Sequence, residues 1–398
     1  MSQVYGALLL LVVYFGVVLL TLAVSTDVTS LPDIARICNV ASLSGNACQA
    51  GAISVAAQEL TAIVLVVVVM IGLERKAVQS NSIATRRIEG FEQSRSLVFL
   101  LLVAVTAVLT IHNIRHDPTG GRIPPSESGL ISLENLTWPL LLQLVFWTRQ
   151  ICWKVVLIAF LAALVALSPF RSPLFSIFYF GALIPFAVML AVGNFMPRRT
   201  KVISVAAMMV LILFTSLVLL YQTNSRYSDQ DVTGRQESRF ALLEAGLTSR
   251  GVSPFFQAAL VKRLALKEAL PGFLASIGQK FGAGTNLNEY VFKAIYSNGW
   301  YGQTTTLYYG ESIANTGISP IFWAFAGPLA LVLTYFLLRP FCDVGLLIAI
   351  ALWRSSEGGL FDVITALTLQ LGFCLVLSYS RSRPNGVLAR TARDHEMA

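Results

Sequence analysis

Residues 310–338 read GESIANTGISPIFWAFAGPLALVLTYFLL, a polar turn with two glycines, a carboxylate and an amide, followed by an apolar run. Crossing a hydrocarbon layer takes about 17 to 25 apolar residues, so this run can span one and the polar turn then lies at its mouth. Either the turn is a collar around a membrane helix or it belongs to a reaction site at a membrane surface. The remainder of the chain bears on that choice.

The 398 residues are 55% hydrophobic and 13% charged, against roughly 45–50% and roughly 25% in soluble domains. Ten runs have the length of membrane spans: 6–24, 54–73, 97–114, 129–147, 152–169, 174–195, 202–222, 319–338, 343–357 and 360–379. The expected fold is all-α, a polytopic membrane protein with one large helical loop. The first run lacks a basic flank and a small-residue cleavage site, so it reads as a retained helix.

Basic residues in short loops set orientation. With the N-terminus inside, fifteen Arg and Lys fall in cytoplasmic segments and five in the short outer loops, namely Arg36, Arg115, Arg122, Arg171 and Arg354. An even number of spans returns the C-terminus to the cytoplasm. The chain then divides into a transmembrane bundle at 1–222, a large outer loop at 223–317, a second transmembrane group at 318–380 and a tail at 381–398. The net charge of +8 is spread over many loops, without the single basic face that nucleic-acid binding requires.

Cys38 and Cys48 share the first outer loop, CNVASLSGNAC. They pair in an oxidising compartment and stay thiols in a reducing one. Cys152, Cys342 and Cys374 lie in or near the membrane and read as packing residues. No spacing suits zinc and the three histidines do not cluster, so neither a metal nor a cofactor is expected.

The 95 residues from 223 to 317 far exceed a connection. Loops of that length usually carry function or lack order, and helical spacing of apolar residues favours order here. In RQESRFALLEAGLTSR, Phe240, Leu243 and Leu247 share one face, and Arg235, Arg239, Gly246 and Arg250 line the adjacent edge. Next, SPFFQAALVKRLALKEALPG has Ser253 as a candidate N-cap, Pro254 for the first turn and Pro271-Gly272 as a stop. Its apolar side suits either the membrane interface or the first helix. The segment from 278 to 317 then mixes glycine turns, tyrosines, Trp300 and amides. Aromatic faces stack on sugars and amides bond hydroxyls, although interfacial aromatic belts use the same residues.

The order of an arginine-bearing helix, a Gly-x-Gly turn, Gly-Trp-Tyr-Gly and GESIANTG resembles the Wzy-type polymerases of O-antigen and other bacterial repeat-unit polysaccharides. These share a superfamily with O-antigen ligases. Gly310, Glu311, Asn315 and Gly317 match the family's motif before the helix that follows the large loop. Its loop arginine looks like Arg239, and its glycine turn looks like FGAGTN at 281–286, with Gly282 and Gly284. Ligases usually carry a His-Asn pair where this chain has Leu287-Asn288, a departure that favours the polymerase.

The resemblance implies glycan transfer from an undecaprenyl-diphosphate-linked chain to a lipid-linked repeat unit, at the outer face of a bacterial inner membrane. It implies a flippase and a chain-length regulator as partners. The leaving group is a diphosphate, which arginine holds bidentately at any relevant pH. Arg235, Arg239, Arg250 and Arg354 are the candidates; for Arg354, in WRSSEGG, snorkelling to the interface is an equal alternative. Glu311 is the first candidate to act on the acceptor hydroxyl and Glu289 the second. Asn288, Glu289, Tyr296, Trp300, Tyr309 and Asn315 are candidate sugar contacts, and Gly282, Gly284, Gly310 and Gly317 form close turns.

Three other readings compete. A ligase uses the same donor. A transporter or flippase would carry ionisable residues near the membrane midplane, whereas Glu59, Glu134 and Asp362 are expected towards helix ends. A membrane scaffold would not need this loop.

Overall fold

The computed structural model describes residues 2–25, 28–80, 93–116, 136–144, 252–261, 320–358 and 360–379, with positions 202, 203, 206, 209, 210, 291, 293–295, 307, 308 and 310. The expected spans at 152–169 and 174–195 and the tail lie outside the described residues. Helices and short turns account for the described residues, with no strand among them. The longer helices are α1 (Ser2–Val24), α2 (Pro32–Val40), α3 (Gly45–Ser80) and α4 (Gln93–His116). They are followed by α5 (136–144), α6 (Val252–Val261), α7 (Pro320–Leu338), α8 (Gly345–Gly358) and α9 (Leu360–Tyr379).

Local chemistry sets several of these ends. Pro320 opens α7, where its missing N–H costs nothing, and α7 stops at Leu338 before Arg339-Pro340, because proline disfavours helical backbone in the residue it follows. Asp343 Oδ1 accepts from the Gly345 N–H at 3.1 Å and so caps the start of α8. Gln143 on α5 adds a second cap: its amide oxygen accepts from the Leu347 N–H at 3.2 Å, and its Nε2 donates to the Asp343 carbonyl at 2.9 Å.

Among the described residues, two helices are long and apolar enough to cross a membrane, Gln3–Val24 within α1 and Gly45–Arg75 within α3. On α1, Val4, Leu8, Leu11, Phe15, Val18 and Leu22 form a buried seam, while Leu9, Val13, Val17, Leu20 and Val24 point outward and exposed. A helix that is apolar on both faces suits hydrocarbon on its outside. The outward faces of α4 and α9 repeat this with Leu101, Val105, Val108, Leu369 and Val376.

Helix α1 packs on α3 and α8, α3 also packs on α7, and α8 packs on α7 and α9. Helix α8 is the centre of this arrangement, since every residue from Leu346 to Trp353 is buried whatever direction it faces. Amide and indole bonds join the remaining pieces. Gln370 on α9 donates to the Leu136 carbonyl at 3.0 Å, and Trp138 Nε1 on α5 donates to Thr110 Oγ1 on α4 at 3.1 Å.

At the other end of α1, Gln49 Nε2 donates to the Leu22 and Ser25 carbonyls at 2.6 and 2.8 Å, satisfying the last turn of that helix. Helix α2 covers the same end. It buries Ile34 and Ile37, and a disulfide from Cys38 to Cys48 fastens it to the first turn of α3. Helix α3 is longer than its hydropathy suggests, because Gly45–Ser54, small and polar, continue the apolar stretch as helix. Glu59 consequently lies well inside a helix whose span was expected to begin at 54.

Candidate functional site

Three sets of contacts bring separate elements to one level. Residue 49 of α3 lies beside the end of α1. Since a helix rises about 1.5 Å per residue, Glu59 lies about 15 Å further in, level with Tyr14 and Phe15. Helix α8 starts beside the N-terminus of α1, where a Cβ added to Gly345 would stand 2.7 Å from Gln3 Oε1. It runs parallel to α1 until Trp353 meets Tyr14, with ring centroids 5.5 Å apart. Helix α6 reaches the same level through Phe255, whose ring lies 6.1 Å from Tyr14 and 5.9 Å edge-on from Phe15.

Helix α8 begins level with Gln3, and its 14 residues end about 12 Å short of the end of α1. Parts of the large loop pack beside its last turns. Val252, Phe255, Phe256, Ala258, Leu260 and Val261 of α6 are buried, so the apolar side of the helix sits within the bundle, on the first helix. Ser253 lies inside the helical run and takes the Gln257 amide on its hydroxyl at 2.9 Å instead of capping.

The second loop piece is residues 307, 308 and 310. The Tyr308 ring is fully buried, and its hydroxyl bonds Ser355 Oγ and reaches the Leu352 carbonyl at 3.3 Å. Ser355 and Ser356 are buried and return their hydroxyls to the Leu352 and Trp353 carbonyls at 3.2 and 2.7 Å. Leu307 adopts φ of 57°, a left-handed conformation costing a side-chain-bearing residue about 1–2 kcal/mol, which persists only where the surroundings impose it. Gly310 is buried beside this anchor. Tyr335 on α7 stands 3.5 Å from a Cβ at Gly345. Pro320 therefore lies about 22 Å along α7 from that contact, slightly past the layer.

Of the expected site residues, Gly310 follows Tyr308 by two positions and Arg354 precedes Ser355 by one, so both flank the Tyr308–Ser355 bond in sequence. Arg354 is half-buried, one position from Trp353 and one from Ser355. The expected Arg235, Arg239, Arg250, Gly282, Gly284, Asn288, Glu289, Tyr296, Trp300, Tyr309, Glu311, Asn315 and Gly317 lie outside the described residues. Cys38 and Cys48 are joined by a disulfide that fastens α2 to the first turn of α3. Among the described residues, no group of three or more His, Cys, Asp or Glu side chains is placed to hold a metal ion.

Sequence reading missed the bond between Tyr308 and Ser355 and the full burial of Glu59. Tyr308 was one of many loop tyrosines, and Ser355 carried no signal of its own. For Glu59 the signal was its position as a lone carboxylate amid an apolar run, offset by the underestimated length of α3.

Arg354 gives this end of α8 a half-buried cation, next in sequence to the Ser355 whose hydroxyl bonds Tyr308, and a guanidinium can bind an anion. No family model, no curated protein and no solved structure matches this chain.

Proposed function

We propose that the protein is a polysaccharide polymerase of the inner membrane, moving a glycan from an undecaprenyl-diphosphate carrier onto a second lipid-linked repeat unit at the periplasmic face. The observation that carries this reading is the Tyr308 to Ser355 bond. It joins the loop segment that leads into GESIANTG to the helix that bears Arg354, which supports reading the motif and Arg354 as parts of one site.

In this reading Arg354, with Arg235, Arg239 and Arg250 of the loop, holds diphosphate oxygens. The acceptor hydroxyl oxygen bonds to the anomeric carbon as the bond from that carbon to the diphosphate oxygen breaks. The hydroxyl proton passes to Glu311, and the electron pair leaves with the lipid diphosphate, where the arginines stabilise it. Asn288, Glu289, Tyr296, Trp300, Tyr309 and Asn315 hold the sugars. The chain crosses the membrane ten times with both termini cytoplasmic, and a flippase and a chain-length regulator work beside it. The apolar outward faces of α1, α4 and α9 support the bilayer setting.

Deleting the gene tests the reading. Loss of a polymerase leaves single repeat units on the final acceptor, loss of a ligase leaves none, and loss of a flippase leaves the repeat units on the cytoplasmic side.

A further inference from the structure

The start of α8, at the opposite end of that helix from the Tyr308–Ser355 bond, gathers polar groups that the chemistry above does not use. Gly345 stands among them. A Cβ built there would lie 2.7 Å from Gln3 Oε1, 3.3 Å from Asp343 Oδ1 and 3.5 Å from Tyr335 Cε2, the ring carbon next to the one that bears the hydroxyl. Helices α1 and α7 and the cap of α8 thus turn an amide, a phenol and a carboxylate towards one point. Gln3 is 7% exposed and Tyr335 2%, and neither side chain has a hydrogen-bond partner among the described residues. A buried amide or hydroxyl without a partner is costly, and an apolar side chain at either position would avoid that cost.

The sign of the missing ligand follows from the atoms that face the point. Asp343 Oδ1 already accepts the Gly345 N–H at 3.1 Å, and Gln143 accepts the Leu347 N–H at 3.2 Å, so these two donors at the head of α8 are taken and do not call for an anion. Asp343 and Glu74 put two negative charges within electrostatic reach of the Tyr335 hydroxyl, against one positive charge from Arg339. Amide carbonyl, carboxylate and phenol oxygens suit a hard cation. One carboxylate among neutral oxygens balances a single positive charge. We propose that the crevice over Gly345 binds a small monovalent cation of the sodium class, held by Gln3 Oε1, the Asp343 carboxylate and the Tyr335 hydroxyl, and that the ion ties α1, α7 and α8 together. The site is independent of the polymerase reading.

The test measures thermal unfolding of the purified full chain in detergent, titrated with sodium chloride while choline chloride holds the ionic strength constant. A ligand of the folded state raises the unfolding temperature with its concentration, whereas choline is too large for the crevice. The wild type should therefore unfold at a higher temperature in sodium than in choline. In Gln3→Leu, which removes one ligand and suits apolar surroundings, and in Gly345→Ala, which fills the crevice, that increment should vanish whatever the variant's own temperature in choline. Equal temperatures in the two salts for the wild type would overturn the site. So would a sodium increment that survives in Gln3→Leu or in Gly345→Ala, because it would then arise elsewhere on the protein.

Discussion

Tyr308 and Ser355, 47 positions apart, share a hydrogen bond between their hydroxyls near the C-terminal end of the central helix α8. Replacing Tyr308 by Phe removes that bond and keeps the ring. Ser355 retains the Leu352 carbonyl, so the loss should be about 1 kcal/mol. The expected result is a small fall in unfolding temperature with a severalfold fall in polymer formation. Full activity in Y308F would mean that the 307–310 segment does not position the site.

Arg354 separates two roles that its position alone permits. If it holds diphosphate oxygens through both guanidinium nitrogens, Arg354→Ala and Arg354→Lys should both lose polymer at unchanged protein level, because lysine is a point charge without the fork. An arginine that merely reaches for the interface would be replaced by lysine without consequence. Polymer length on a gel, for variants expressed in a deletion strain, reads the difference.

Helix α6 is packed inside the bundle, with Phe255 fully buried against Tyr14 and Phe15. Phe255→Ala should therefore cost about 3–5 kcal/mol, seen as a markedly lower unfolding temperature in detergent. A helix resting on the membrane surface would show little change.

The disulfide between Cys38 and Cys48 closes a loop with a sequence separation of 10. Chain entropy for a loop of that size gives about 2–3 kcal/mol. The double variant C38S/C48S should unfold at a lower temperature by that measure, and reductant should lower the wild type to the same point. Peptide mapping without reductant should recover the two cysteines as one linked fragment.

Much of the helical framework was legible in the sequence, because apolar runs need nothing but their own residues to be seen. Helix α9 occupies the 360–379 span as read, and α7 and α8 begin within two residues of expectation. The extension of α3 back to Gly45 was not legible, since Gly45–Ser54 are small and polar and their helix depends on packing against α1 and α2. The apolar face of α6 could be read, but not which of two apolar surroundings it would choose. The layer around Arg354 was the least legible part. It depends on register between helices far apart in sequence, which leaves no local pattern.

The most direct measurement is to reconstitute the purified protein in vesicles with lipid-linked repeat units and separate the products by size. The wild type should give a ladder rising by one repeat unit, and Arg239→Ala, Glu311→Ala and Arg354→Ala should give none at equal protein amounts. A wild-type reaction that leaves only single repeats, or a full ladder from all three variants, would contradict the account.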